Sequence, residues 1–128
     1  MHVDRTWWLT PAARRGWAAL LLALALFICW LAFSPAPPPS ADVGWDKANH
    51  ALAFATLAVV AELAFWPVHA RRRRISIGLV AFGGFIELVQ AQIPARSGDW
   101  ADIAADATGI AIGLAMVALV HRLARHRS

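Results

Sequence analysis

The chain has 128 residues, of which 59% are hydrophobic and only 16% charged, with a formal net charge of +4. Soluble domains carry about a quarter charged residues, so this composition excludes an ordinary water-soluble domain and points to a membrane. The single cysteine, Cys29, excludes an internal disulfide and a cysteine metal cluster.

In chain order, residues 16–34 (GWAALLLALALFICWLAFS) run without a charge. At about 1.5 Å per residue that is long enough to cross about 30 Å of hydrocarbon. Arg14 and Arg15 precede it as they would precede a signal peptide. The run is longer than a usual signal core, however, and the small residue Ser34 faces Pro35, a poor cleavage position, so the span is expected to stay as an anchor. Cys29 lies inside it and reads as a small apolar residue. A proline-rich linker (SPAPPPSADVGWDK) leads to a second span at 48–68, the basic turn HARRRR to a third at 75–93, and the loop PARSGDW to a fourth at 101–120. No connection is long enough for a second domain. The expectation is one all-α membrane domain over residues 1–128, with four transmembrane helices.

The basic residues are distributed by topology rather than gathered as a nucleic-acid surface. Arg5, Arg14 and Arg15 precede span one, Arg71 to Arg74 separate spans two and three, and Arg122, Arg125 and Arg127 follow span four. Only Lys47 and Arg96 fall in the other two connections. The positive-inside rule then puts both termini and the RRRR turn in the cytoplasm, with the protein in a bacterial cytoplasmic membrane. Trp30, Trp45 and Trp100 fit the outer interface, Trp17 and Trp66 the inner one. The RRRR run reads either as a topology determinant beside anionic headgroups or as a specific anionic-lipid or partner site.

This topology brings polar residues of three helices to one level near the outer surface. Asp46, Lys47 and His50 open span two, Glu87 and Gln90 lie toward the end of span three, Asp102 and Asp106 toward the start of span four, and Arg96 and Asp99 in the joining loop. Helical spacing puts Asp46, His50 and Phe54 on one face, Gly83, Glu87 and Gln90 on another, and Asp99, Asp102, Asp106, Gly109 and Gly113 on a third. A charge at mid-membrane costs about 2.5 to 3.5 kcal/mol on insertion scales. Glu87, Asp102 and Asp106 are therefore expected to face a polar pocket open outward, paired with Arg96, Lys47 or His50, or partly protonated through desolvation. Gly109 and Gly113 form a small-xxx-small seam for close helix association.

Plainer readings stand beside these. Asp46 and Asp99 precede helices and read equally as N-caps, and Pro94 reads as the end of span three. His50 is a hydrogen-bonded structural histidine, a proton-transfer group or a metal ligand, and its position alone does not choose. Glu87 is a structural partner of Arg96 or a catalytic or binding group. Glu62 stands apart, in the inner half of span two near Trp66, and reads as snorkelling or as contacting another subunit. Asp102 and Asp106 have metal-compatible spacing but no histidine on their helix, so no metal site is assigned.

The segments DKANHALAF (46–54) and ELVQAQIPARSGDWADIAADATGIAIG (87–113) resemble the VanZ-like family of small bacterial membrane proteins. The family pattern falls on Asp46, Lys47, His50, Phe54, Glu87, Gln90, Pro94, Arg96, Asp99, Asp102 and Gly109. Asp106 departs from it, since many relatives carry Asn there, which puts a charged role for Asp106 in question. The resemblance implies an association with low-level resistance to the glycopeptide teicoplanin, and it implies no particular reaction.

No phosphate-binding glycine loop, nucleophile elbow, paired-cysteine motif or His-Glu-x-x-His helix is present in the sequence, and no cofactor is expected. Three functions remain. In the first, the pocket binds an envelope lipid or lipid-linked precursor, with Arg96 and Lys47 on a phosphate, Glu87, His50 and Asp102 orienting it or moving protons, and Asp46, Gln90, Asp99 and Asp106 completing the wall. In the second, the same pocket is an enzyme acting on lipid headgroups, with Glu87 or His50 as base. In the third, the polar cluster only locks helices together in a structural or partner-binding module.

Overall fold

In a computed structural model, residues 7–36, 46–66, 70–94 and 96–126 are described. Arg5, Trp45, Arg127 and the end of the expected second span, residues 67–68, lie outside them. A short 3-10 turn, Trp7–Leu9, precedes four helices: α1 (Pro11–Phe33), α2 (Asp46–Ala64), α3 (Arg71–Gln90) and α4 (Trp100–His126). The described residues contain no strand.

The helix ends follow from local chemistry. Pro11 occupies the first turn of α1, where its missing N–H is no loss, and the Thr10 hydroxyl accepts from the Ala13 N–H at 3.2 Å. At its other end Ser34 is already extended, as the residue before a proline prefers. The apolar run of α3 is preceded by arginines that are good helix formers. The helix therefore begins at Arg71, earlier than the expected 75, and it ends at Gln90, short of 93. Single turns (Gln92 N–H to Val89 O, Ile93 N–H to Gln90 O) carry the chain on toward Pro94. In α4, Asp99 caps the start: its Oδ1 accepts from the Ala101 N–H at 2.9 Å.

Among the described residues two helices, α1 and α4, are long and apolar enough to cross a membrane, where four were expected. The other two fall short because charge is wound into the helix itself: Asp46, Lys47 and Glu62 in α2, Arg71 to Arg74 and Glu87 in α3. What α2 and α3 present outward is nonetheless apolar in part, including Leu52, Ile77, Val80, Phe85 and Leu88. Glu62, Glu87, Gln90, Asp102 and Asp106 are buried. Large exposed apolar area around a partly polar interior is the reverse of a water-soluble bundle.

α2 lies against all three other helices and closest to α4. Phe54, Leu57 and Ala58 of α2 make the core with Ile86 of α3 and Ile110 of α4, and Leu21, Leu24 and Ile28 of α1 pack against it. The seam between α2 and α4 is set by two glycines. A Cβ on Gly109 would run into the carbonyl and backbone of Ala51, and one on Gly113 would lie 3.0 Å from the Ala58 Cβ. The small-xxx-small surface thus serves α2 of the same chain.

Gly109→Ala is expected to lower stability by about 1 to 3 kcal/mol, because the backbone it meets cannot yield as a side chain could. Gly84→Ala, whose Cβ would meet nothing within 4 Å, is expected to be neutral or stabilising by up to about 1 kcal/mol. Thermal unfolding of both in one detergent checks the contrast.

Candidate functional site

The polar residues singled out in the sequence converge at the end of the bundle where α2 and α4 begin and α1 and α3 finish. Lys47, in the first turn of α2, donates from Nζ to Asp99 Oδ2 and Asp102 Oδ1, both at 3.0 Å. One helical turn deeper, His50 Nδ1 lies 2.9 Å from Asp106 Oδ1 and Nε2 lies 3.5 Å from Asp102 Oδ2. The i, i+4 spacing of Asp102 and Asp106 puts a carboxylate at each ring nitrogen. A chain of polar contacts results: Asp99, Lys47, Asp102, His50, Asp106. It runs from the exposed surface to a side chain with no exposed area.

Glycine gives this chain its depth. A Cβ on Gly83 of α3 would collide with Asp106 Oδ2 and would crowd the Phe54 ring. Gly98 does similar service in the loop, where a Cβ would come within 2.9 Å of the Glu87 carbonyl. That close approach lets the Asp99 N–H donate to Glu87 Oε2 at 2.7 Å. Glu87 Oε1 and Asp106 Oδ2 are buried and without a hydrogen-bond partner among the described residues. Two such oxygens leave acceptor capacity inside the site.

At the surface the charges reinforce one another. Hydrogen bonds donated first to Asp99 and then to Asp102 hold the Lys47 ammonium well above the usual lysine range. The Asp99 carboxylate is held below its usual range, first by the Ala101 N–H and then by Lys47. Asp46 stands beside the chain, since ligand atoms of Asp46, His50 and Asp102 lie within 4.8 Å of one another, a spacing that a metal ion could bridge. The nearby Lys47 ammonium already occupies Asp102, so a metal there competes with a resident cation.

Arg96 and Gln90 do different work from that expected of them. Arg96 donates from Nε to Ser34 O at 3.0 Å and from Nη2 to Leu31 O at 2.7 Å, and Gln90 Nε2 donates to Ala32 O at 3.0 Å. These are carbonyls at the α1 C-terminus, where helical partners run out and the helix dipole favours a cation. Glu87 takes its hydrogen bond from the Asp99 backbone rather than from Arg96. The sequence holds no spacing rule that shows which helix end lies beside Arg96, so its partner was not readable there.

A second polar group was missed. Glu62, fully buried near the end of α2, accepts at Oε1 from Arg71 Nη2 at 2.8 Å and Arg72 Nε at 3.0 Å. The available signal was an apolar-helix carboxylate that lies nine and ten residues before two arginines across a turn. Neither reading of the arginine run, as a topology determinant or as an anionic-lipid or partner site, paired it with Glu62.

Arg96→Ala removes two charged donors from part-buried carbonyls and is expected to lower stability by about 1.5 to 3 kcal/mol. Arg96→Lys is expected to recover less than half, since a single ammonium does not span both carbonyls as a guanidinium fork does. Equal thermal stability of Arg96→Lys and wild type would show that the fork is not needed.

Comparison of the chain with protein-family models, with curated proteins and with solved structures found no match.

Proposed function

We propose that this is a VanZ-like, four-span protein of a bacterial cytoplasmic membrane, with both termini inside, whose outward-facing polar site binds or handles an envelope lipid or lipid-linked precursor. The carrying observation is the continuous chain from exposed Asp99 through Lys47, Asp102 and His50 to fully buried Asp106. Support for the membrane reading comes from the apolar outward faces, the two long apolar helices and the gathering of the described arginines other than Arg96 at one end. The motif residues from Asp46 to Gly109 support the family reading.

The charge balance refines the ligand chemistry. Asp46, Glu87, Asp99, Asp102 and Asp106 stand against one lysine and one histidine, and Arg96 is engaged with α1. Such a site favours hydroxyl or ammonium groups of a headgroup over its phosphate, because carboxylates accept and do not donate. Lys47 has the donors to steady a ligand at the rim. His50, with a carboxylate at each ring nitrogen, is the group able to exchange a proton with a bound hydroxyl. That step would make the protein a membrane enzyme; binding alone needs only the same geometry. The purely structural module is favoured by Arg96 and Gln90, whose donors tie α1 to the bundle.

The test compares envelope lipids and lipid-linked wall or polysaccharide precursors in deletion cells complemented with wild type, His50→Gln or Glu87→Gln, at equal protein accumulation. The expected result is a species that shifts on deletion and is restored by wild type but not by His50→Gln. Full restoration by both variants, or no shift on deletion, would leave the polar chain as scaffolding.

A further inference from the structure

At the opposite end of the bundle, the Glu62 group borders a cavity of about 400 Å³ lined by Trp66, Arg71, Arg72, His121, Arg122 and Arg125. The Arg71 guanidinium lies 4.0 Å over the Trp66 ring, and Trp66 meets His121 edge-on with ring centroids 4.7 Å apart. Glu62 holds Arg71 and Arg72 from beneath, so two forks are fixed before any ligand arrives. Preorganisation of that kind reduces the ordering cost of binding.

Four arginines line the cavity, with no carboxylate among the described lining residues, and Glu62 pairs with two of the four. The first turn of α3 carries arginines where the helix dipole favours acids, and Ala70, its N-cap, offers no side-chain hydrogen bond. An anion in the cavity would meet the arginine side chains and the α3 N-terminus, where the helix dipole favours negative charge.

We infer that this cavity binds a phosphate group, held by the arginine forks of α3 and α4. Arginine matches phosphate oxygens with paired donors, and a volume of this size, within the roughly 300 to 1,000 Å³ of small-ligand sites, admits a phosphate with a small headgroup. On the orientation proposed above, this end faces the cytoplasmic leaflet, so the phosphate comes either from an anionic lipid headgroup or from a soluble phosphate. The site shares no residue with the histidine and carboxylate chain.

The test uses the full chain in detergent, titrated with phosphatidylglycerol and followed by native mass spectrometry, with and without millimolar inorganic phosphate. Arg122→Gln with Arg125→Gln removes two cavity arginines and leaves the partners of Glu62 in place. Arg73→Gln with Arg74→Gln removes the same charge from exposed positions outside the lining. The first pair is expected to weaken lipid retention by about tenfold or more and the second by less than about threefold. Displacement by inorganic phosphate would assign the cavity to soluble phosphate, and retention despite it would assign the lipid. Equal losses in the two double variants, no loss in the first, or no saturable binding by wild type would overturn the proposal. Gly84→Ala, whose added Cβ would meet nothing within 4 Å, serves as a folded reference whose retention is expected to equal wild type; the readout is lipid held at the arginine end and not complementation of deletion cells, so failure here and failure of the outward-site reading are separable.

Discussion

The rest of the structure depends on the pairing of α2 with α4 through charge. Lys47 and His50 on one helix face Asp99, Asp102 and Asp106 on the other, and a buried carboxylate without such partners would cost several kcal/mol. Gly109 and Gly113 bring the two backbones close enough for these side chains to meet, and the apolar contacts of Phe54, Leu57 and Ile110 exclude water below them. Close packing and polar pairing therefore belong to one interface: the seam sets the distance, and the charges set the register.

The bundle is chemically polar along its length. Acids gather where α2 and α4 start, and arginines gather where they finish, with a core of aliphatic and phenyl groups between. At each end a residue of the opposite kind ties two of the majority together, Lys47 between Asp99 and Asp102 and Glu62 between Arg71 and Arg72. In both places that residue fixes the geometry of the majority. An acidic and an arginine-rich environment are thus separated by an apolar layer within one small protein.

Much of this was legible in the sequence, for identifiable reasons. Apolar runs between charged connections located all four helices, because burial or lipid exposure of a helix demands such runs. The common level of His50, Glu87, Asp102 and Asp106 followed from helical rise and alternating direction alone. Asp99 was readable as a cap, and Asp99 indeed caps α4 while also binding Lys47. Partner choice was not legible. Arg96 reaches the α1 carbonyls and Glu62 reaches Arg71 and Arg72, contacts fixed by which helix ends lie side by side. Helix ends were off where charged residues joined the helix: α3 takes in Arg71 to Arg74, and α4 continues to His126 past the expected 120.

The central claim is that the acidic end faces outward and the arginine end inward, which requires α3 to cross the membrane although its own composition falls short. Single cysteines at Ser97 and Arg73, both exposed, report on the two ends of α3 in a Cys29→Ser background. Labelled with a membrane-impermeant maleimide in right-side-out spheroplasts, Ser97→Cys is expected to react before lysis and Arg73→Cys only after it. Reaction of both from the same side, or the reverse order, would contradict the account.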